Sequence, residues 1–226
     1  MPMTLPYYTI LFDLEGTLID SQKAILNGVD YTLQKLQIPV HNIHTLKPFL
    51  TMPIADAFQK EFNLTGVELQ IALQLYNEYE HQFGWQNTII FDEAQDLLHR
   101  LHHANYQLAA ITKSPTAYAL KTLDHLQISQ YFNVIIGSDI ENQLLTKSDM
   151  VGAALEQMKF DSKEYCIMIG DTVEDIEAAK QNGIDSIGVT YGEGKKGDLE
   201  SVGATYIVHT INSFSIIFGN RAQFAI

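Results

Sequence analysis

Four acidic residues, a threonine and a lysine stand beside short apolar runs in this 226-residue chain. Asp13 and Glu15 follow residues 7–12 (YYTILF), in Asp13-Leu14-Glu15-Gly16-Thr17. Thr112 closes residues 107–112 (QLAAIT), ahead of Lys113 and Ser114. Asp171 and Asp175 follow residues 166–170 (CIMIG), in Gly170-Asp171-Thr172-Val173-Glu174-Asp175. Lys147 precedes the helical pattern that leads into that run. Hard oxygen ligands in small number suit Mg2+, which binds a few carboxylates and keeps waters and a substrate phosphate. A carboxylate can attack phosphorus to give an acyl phosphate. Threonine and lysine can hold the transferring oxygens and offset developing charge.

The elements that must position these groups are legible in the pattern. The three runs, with 134–137 (VIIG), 186–190 (SIGVT) and a weaker one at 206–209, read as strands buried on both faces. Helical stripes separate them at 94–104, 117–126, 150–158 and 176–182, the last stopping at Gly183. Strands alternating with helices give βαβ units and a parallel sheet. Residues 21–88 break the rhythm: 24–36, 54–62 and 67–83 all read as helices, punctuated by Pro39, Pro48, Pro53 and Thr65-Gly66. The expected fold is α/β, a doubly wound parallel Rossmann-like sheet with an inserted helical cap domain. Its core is expected over 1–20 and 89–226, its cap over 21–88. Ligands of such sheets bind at the carboxyl ends of the strands, where the acids stand.

Composition narrows the function classes. Fourteen Lys+Arg against 27 Asp+Glu give a net charge of −13. That excludes a general nucleic-acid binder and a basic membrane-surface protein. The single cysteine, Cys166, excludes an internal disulfide and reads as a buried thiol. No apolar run approaches the length of a membrane span. Residues 1–12 lack the basic start of a signal peptide, so a cytoplasmic location is expected. Gly192 to Gly197 matches G-x-G-x-x-G but follows the last main strand, so a rim loop is expected there, not a dinucleotide site. His99 and His103 share helical spacing and read as a solvated face. The apolar tail at 213–218 either packs on the core or supports self-association; monomer and homodimer both stay open.

In this order, the residues resemble the haloacid dehalogenase superfamily of phosphohydrolases. The likeness runs from Ile10 to about His209, and its first and last motifs, residues 12–21 and 170–176, are the specific ones. The insertion resembles the family's helical C1 cap. Gly188-Val189-Thr190-Tyr191-Gly192-Glu193-Gly194, with Ala204-Thr205-Tyr206, is most similar to the phosphoglycolate-phosphatase-like branch. The resemblance implies a Mg2+-dependent phosphatase acting on a small soluble phosphate monoester, phosphoglycolate-like, nucleotide or sugar phosphate, through an aspartyl-phosphate. It implies Asp13 as nucleophile and Mg2+ ligand, and residue 15 and Asp171 as further ligands, the former through its backbone carbonyl. Asp175 would hold the ion through water or orient the site. Thr112 would bind the phosphoryl group, and Lys147 would neutralise phosphate and Asp13. Lys113 and Lys47 are candidate substrate contacts.

At one position the chain departs from the pattern. The family's phosphatases carry a second aspartate two residues after the nucleophile, and here it is Glu15. Glutamate keeps a carboxylate of similar pKa but adds a methylene, roughly 1.5 Å of reach. A misplacement of about 1 Å can slow a reaction ~10²-fold. A working phosphatase, an impaired or non-catalytic protein that still binds Mg2+ and phosphate, and a phosphosugar mutase are therefore all open.

Overall fold

The unbroken apolar character of β1 (Thr9–Asp13) requires burial on both faces, and every residue of it is buried. The computed structural model describes residues 6–40, 43–139, 146–158 and 162–218. The first five residues, part of the segment expected not to be a signal peptide, lie outside the described residues. The chain forms two compact units, Met1–Asp20 with Ile90–Ile226, and Ser21–Ile89. The strands β2 (Ile19–Asp20) and β3 (Ile89–Ile90) pair where the chain leaves the first unit and returns to it.

The first unit is built on a parallel sheet. Beside β1 it holds β4 (Gln107–Pro115), β5 (Val134–Ser138), β6 (Cys166–Gly170), β7 (Asp185–Val189) and β8 (Tyr206–Val208), in the order β5-β4-β1-β6-β7-β8. The chain winds outward from β1 to one side and then returns to wind to the other. β1 therefore sits at the topological switch point. Alternate residues feed two cores. Ile10, Phe12, Leu108, Ala110, Ile167 and Ile169 join one; Leu11, Ala109, Ile111 and Met168 join the other.

Helices cover both cores. α4 (Ala94–His103), α5 (Thr116–His125) and the short α9 (Phe214–Ile217) contribute to the first; α6 (Lys147–Gln157) and α7 (Val173–Asn182) contribute to the second. The small α8 (Lys196–Ser201) packs Leu199 inward. Phe214 and Phe218 are buried in the first core while Ile216 is exposed, so the apolar tail packs on the sheet. Cys166 is buried, and burial pushes its thiol up to about 11. His99 and His103 lie on an exposed face of α4. The second unit is helical, with α1 (Gln22–Lys35), α2 (Ile54–Phe62) and α3 (Gly66–Phe83) closing on Val29, Leu33, Phe49, Phe58 and Tyr76.

Two helix starts and one strand end differ from the sequence reading; β4 runs on to Pro115, past the expected end at Thr112. The stripe predicts α6 from residue 150, with Lys147 ahead of it, but Lys147 is its first residue. Thr146 and Asp149 make a reciprocal cap: the Asp149 N–H donates to Thr146 Oγ1 at 3.1 Å, and the Thr146 N–H to Asp149 Oδ2 at 3.0 Å. Helix α7 likewise begins three residues before its apolar stripe, at Val173, with Thr172 as the cap.

Candidate active site

Strand register brings the acids together. Asp13 pairs with Ile111 of β4, and Phe12 with Ile169 of β6. Thr112 therefore stands one residue past the level of Asp13 on one side. Asp171 stands one residue past Gly170 on the other. Asp13, Asp171 and Asp175 are buried, and each offers a carboxylate oxygen within 4.8 Å of the others. Lys147, also buried, donates to Asp13 Oδ1 and to the Ile111 carbonyl at 3.3 Å, and lies 3.1 Å from Asp175 Oδ1. Its ammonium reaches these groups because the Thr146 cap starts α6 at the same sheet edge.

Electrostatics follow from this burial. Burial pushes the Asp13 carboxyl well above the usual range; Lys147 opposes the shift, and Asp175, Glu15 and Asp171 add to it. Asp171 is pushed up to about 6 by burial, against the Glu193 N–H and with the charge of Asp175. Burial works to lower Lys147, but Asp13 and Asp175 outweigh it and hold the ammonium above its ordinary range. The cluster therefore has an excess of negative charge that one lysine does not balance.

The donor set fits a small hard cation. Three carboxylates converge, and Asp175 Oδ1 is fully buried without a hydrogen bond, its lysine neighbour making only an ion-pair contact. The other Asp175 oxygen is occupied, accepting the Thr172 N–H at 3.0 Å and the Thr172 hydroxyl at 2.7 Å. Thr17, also buried, reaches Asp13 Oδ2 and Asp171 Oδ1 only at 3.4 and 3.5 Å. Oxygens left underbonded in this way are what a dication takes up.

A cavity of about 580 Å3 opens beside this cluster, within the size range of small-molecule sites. Five carboxylates (Asp13, Glu15, Asp171, Glu174 and Glu193) and two ammonium groups (Lys113 and Lys147) line it. Lys113 is exposed and paired with Glu174 at 2.9 Å. Thr112 is fully buried, and its hydroxyl donates to Glu15 Oε2 at 2.7 Å. Lys47 is exposed on the 3-10 helix Ile43–Leu50 of the second unit.

Sequence reasoning missed three contributors. Ser114 donates its hydroxyl to Glu15 Oε1 at 3.0 Å; being two residues from Thr112 on one strand was the available signal. Glu193 lines the cavity and donates its backbone N–H to Asp171 Oδ2 at 2.7 Å. Thr17, within the first motif, sets its hydroxyl between Asp13 and Asp171. The Gly192 to Gly197 loop thus forms a rim, as its position implied.

Gly16 carries the tightest backbone requirement. Its φ is +78°, and a Cβ there would collide with the Asp171 carboxylate. Gly16→Ala is expected to destabilise the fold by about 1–2 kcal/mol through backbone strain alone. It should also displace Asp171. A urea midpoint equal to that of the parent would refute this.

A doubly wound sheet with buried acids at its switch point places the molecule among α/β enzymes that handle ligands at strand ends. Comparison with known proteins narrows the class. Residues 10–189 match the family model described as haloacid dehalogenase-like hydrolase. A 5'-nucleotidase of Pseudomonas aeruginosa is 29% identical over 197 residues, 87% of this chain and 89% of that protein. A phosphoglycolate phosphatase of Salmonella typhimurium is 29% identical, covering 81% of each chain. The solved structure of a haloacid dehalogenase-like family hydrolase from Streptococcus pneumoniae superposes with a TM-score of 0.80. It is 30% identical and covers 92% of this chain and 97% of its own. The chain belongs to the haloacid dehalogenase-like hydrolase family and stands with its phosphoric monoester hydrolases. No helix among the described residues is long and apolar enough to cross a membrane.

Proposed function

We propose that the protein is a Mg2+-dependent phosphatase. It hydrolyses a small soluble phosphate monoester of the phosphoglycolate, nucleotide or sugar phosphate type through an aspartyl-phosphate on Asp13. The observation that carries this reading is the buried set of Asp13, Asp171, Asp175 and Lys147 on one edge of the sheet. Asp13, Asp171, Asp175 and the backbone carbonyl of Glu15 would hold Mg2+. The ion would supply the positive charge that lets an anionic ester enter a cavity where carboxylates outnumber ammonium groups.

The chain's own groups divide the rest of the work. Asp13 attacks phosphorus; a bond from its carboxylate oxygen to phosphorus forms as the ester P–O bond breaks. Glu15 gives its proton to the leaving oxygen. In the second half Glu15 takes a proton from water, the water oxygen bonds to phosphorus, and the Asp13–phosphorus bond breaks. Thr112 donates to a phosphoryl oxygen. Lys147 offsets charge on Asp13 and on the phosphoryl group.

A panel of small phosphate esters tests the reading, run with Mg2+ and with chelator, against an Asp13→Asn blank. Release above that blank, dependent on Mg2+, is expected for at least one ester; none above it would sink the proposal. Glu15→Ala should slow turnover of that ester by about 10²-fold, the scale of a lost acid–base group. Turnover matching the parent would remove Glu15 from the acid–base role.

A further inference from the structure

We propose that Glu15 occupies the phosphoryl-binding hydroxyls of its own site, and that Ser114 is the positioning residue that latches it there. The inference rests on the phosphatase reading above, since it takes Thr112 as a phosphoryl ligand.

The argument is one of hydrogen-bond capacity. A hydroxyl has a single proton to donate. That of Thr112 is given to Glu15 Oε2 at 2.7 Å, while its lone pair takes the Ser114 N–H at 3.0 Å. The proton of the Ser114 hydroxyl is given to Glu15 Oε1 at 3.0 Å. Both oxygens of one carboxylate are thus bound by two hydroxyls from one strand. A phosphoryl oxygen is an acceptor of the same charge and kind, so Thr112 cannot serve it until Glu15 lets go.

The strand is shaped for this. β4 pairs Ile111 with Ile136 and then Pro115 with Ser138, so four steps along β4 match two along β5. The surplus falls on residues 112–114, which are bent by the Thr112 Oγ1 contact to the Ser114 N–H. An aspartate at position 15 would be shorter by roughly 1.5 Å and would lose one or both hydroxyls. The extra methylene of this chain is what permits the latch. Phosphate and Glu15 then exclude each other at Thr112.

Calorimetric titration with inorganic phosphate in magnesium-containing buffer tests this. A hydrogen bond to a charged group contributes about tenfold or more in an equilibrium. Ser114→Ala should therefore tighten phosphate binding by roughly tenfold, and Ser114→Thr, which keeps a hydroxyl, should restore the parental Kd. With Glu15→Ala as background, Ser114→Ala should give no further tightening, because there is nothing left to latch. Unchanged or weaker phosphate binding in Ser114→Ala overturns the latch, as does an equal tightening in the Glu15→Ala background. Phosphate binding by neither parent nor variants overturns the phosphoryl site itself, and the latch with it.

Discussion

Replacing Lys147 with methionine should cost the protein both turnover and stability, an unusual pairing for a site residue. Methionine fills much of the same volume, so the packing of α6 changes little. What disappears is the only ammonium in contact with Asp13 and Asp175 among the described residues. Removing one partner of a buried ion pair typically costs roughly 3–5 kcal/mol, because a charge is left without compensation. Without the cation, Asp13 moves further up from a value that burial already raises. A carboxyl raised in the folded state binds a proton that the unfolded chain has released. Stability therefore falls as pH rises above the ordinary carboxylate range. The deficit of Lys147→Met should thus be larger at pH 8 than at pH 5, measured by urea unfolding at each pH. Turnover should fall by about 10³-fold or more, since a nucleophile held protonated cannot attack and a charge-stabilising donor is gone. A variant with the melting temperature and rate of the parent would remove Lys147 from the centre of the site.

The legible part of this molecule is the part that a single strand or helix determines alone. Burial of β1, β6 and residues 108–112 of β4 on both faces follows from unbroken apolar runs, and the ends of those runs fix Asp13, Thr112 and Asp171 in space. The parallel, doubly wound character of the sheet then follows from the alternation of strands and helices around the insertion. Contacts between loops distant in sequence leave no such periodic trace. Glu15 meets Thr112 and Ser114 at separations of 97 and 99 residues. The Glu193 N–H reaches Asp171 through backbone alone, so its side-chain type carries no signal of it. The start of α6 is an intermediate case. Thr146 and Asp149 stand at capping-box spacing in the sequence, yet the apolar stripe alone starts the helix three residues late.

Asp171 links the proposed Mg2+ site to folding, and Asp171→Asn should separate the two. Burial pushes its carboxyl up to about 6 from an ordinary 3.8. Between those values the folded state keeps a proton that the unfolded chain loses, so stability declines as pH rises through the window. A shift of that size corresponds to roughly 3 kcal/mol, at about 1.4 kcal/mol for each pH unit. The amide oxygen that Asp171→Asn introduces would still accept the Glu193 N–H, but the side chain cannot ionise. The chelated variant should therefore unfold at higher urea than the chelated parent at pH 7. Its decline from pH 4 to pH 6 should be shallower, the remainder coming from Asp13, which shifts in the same direction. Mg2+ should act unequally on the two proteins. A cation that binds only the folded, ionised site stabilises by mass action, so Mg2+ should raise the melting temperature of the parent at pH 7. In Asp171→Asn its affinity should fall by more than about 10-fold, the scale seen when even an outer-shell group is lost. Equal melting-temperature gains in parent and variant would take Asp171 out of the metal site. A chelated parent whose stability stays flat from pH 4 to pH 6 would show that burial does not hold this carboxyl protonated.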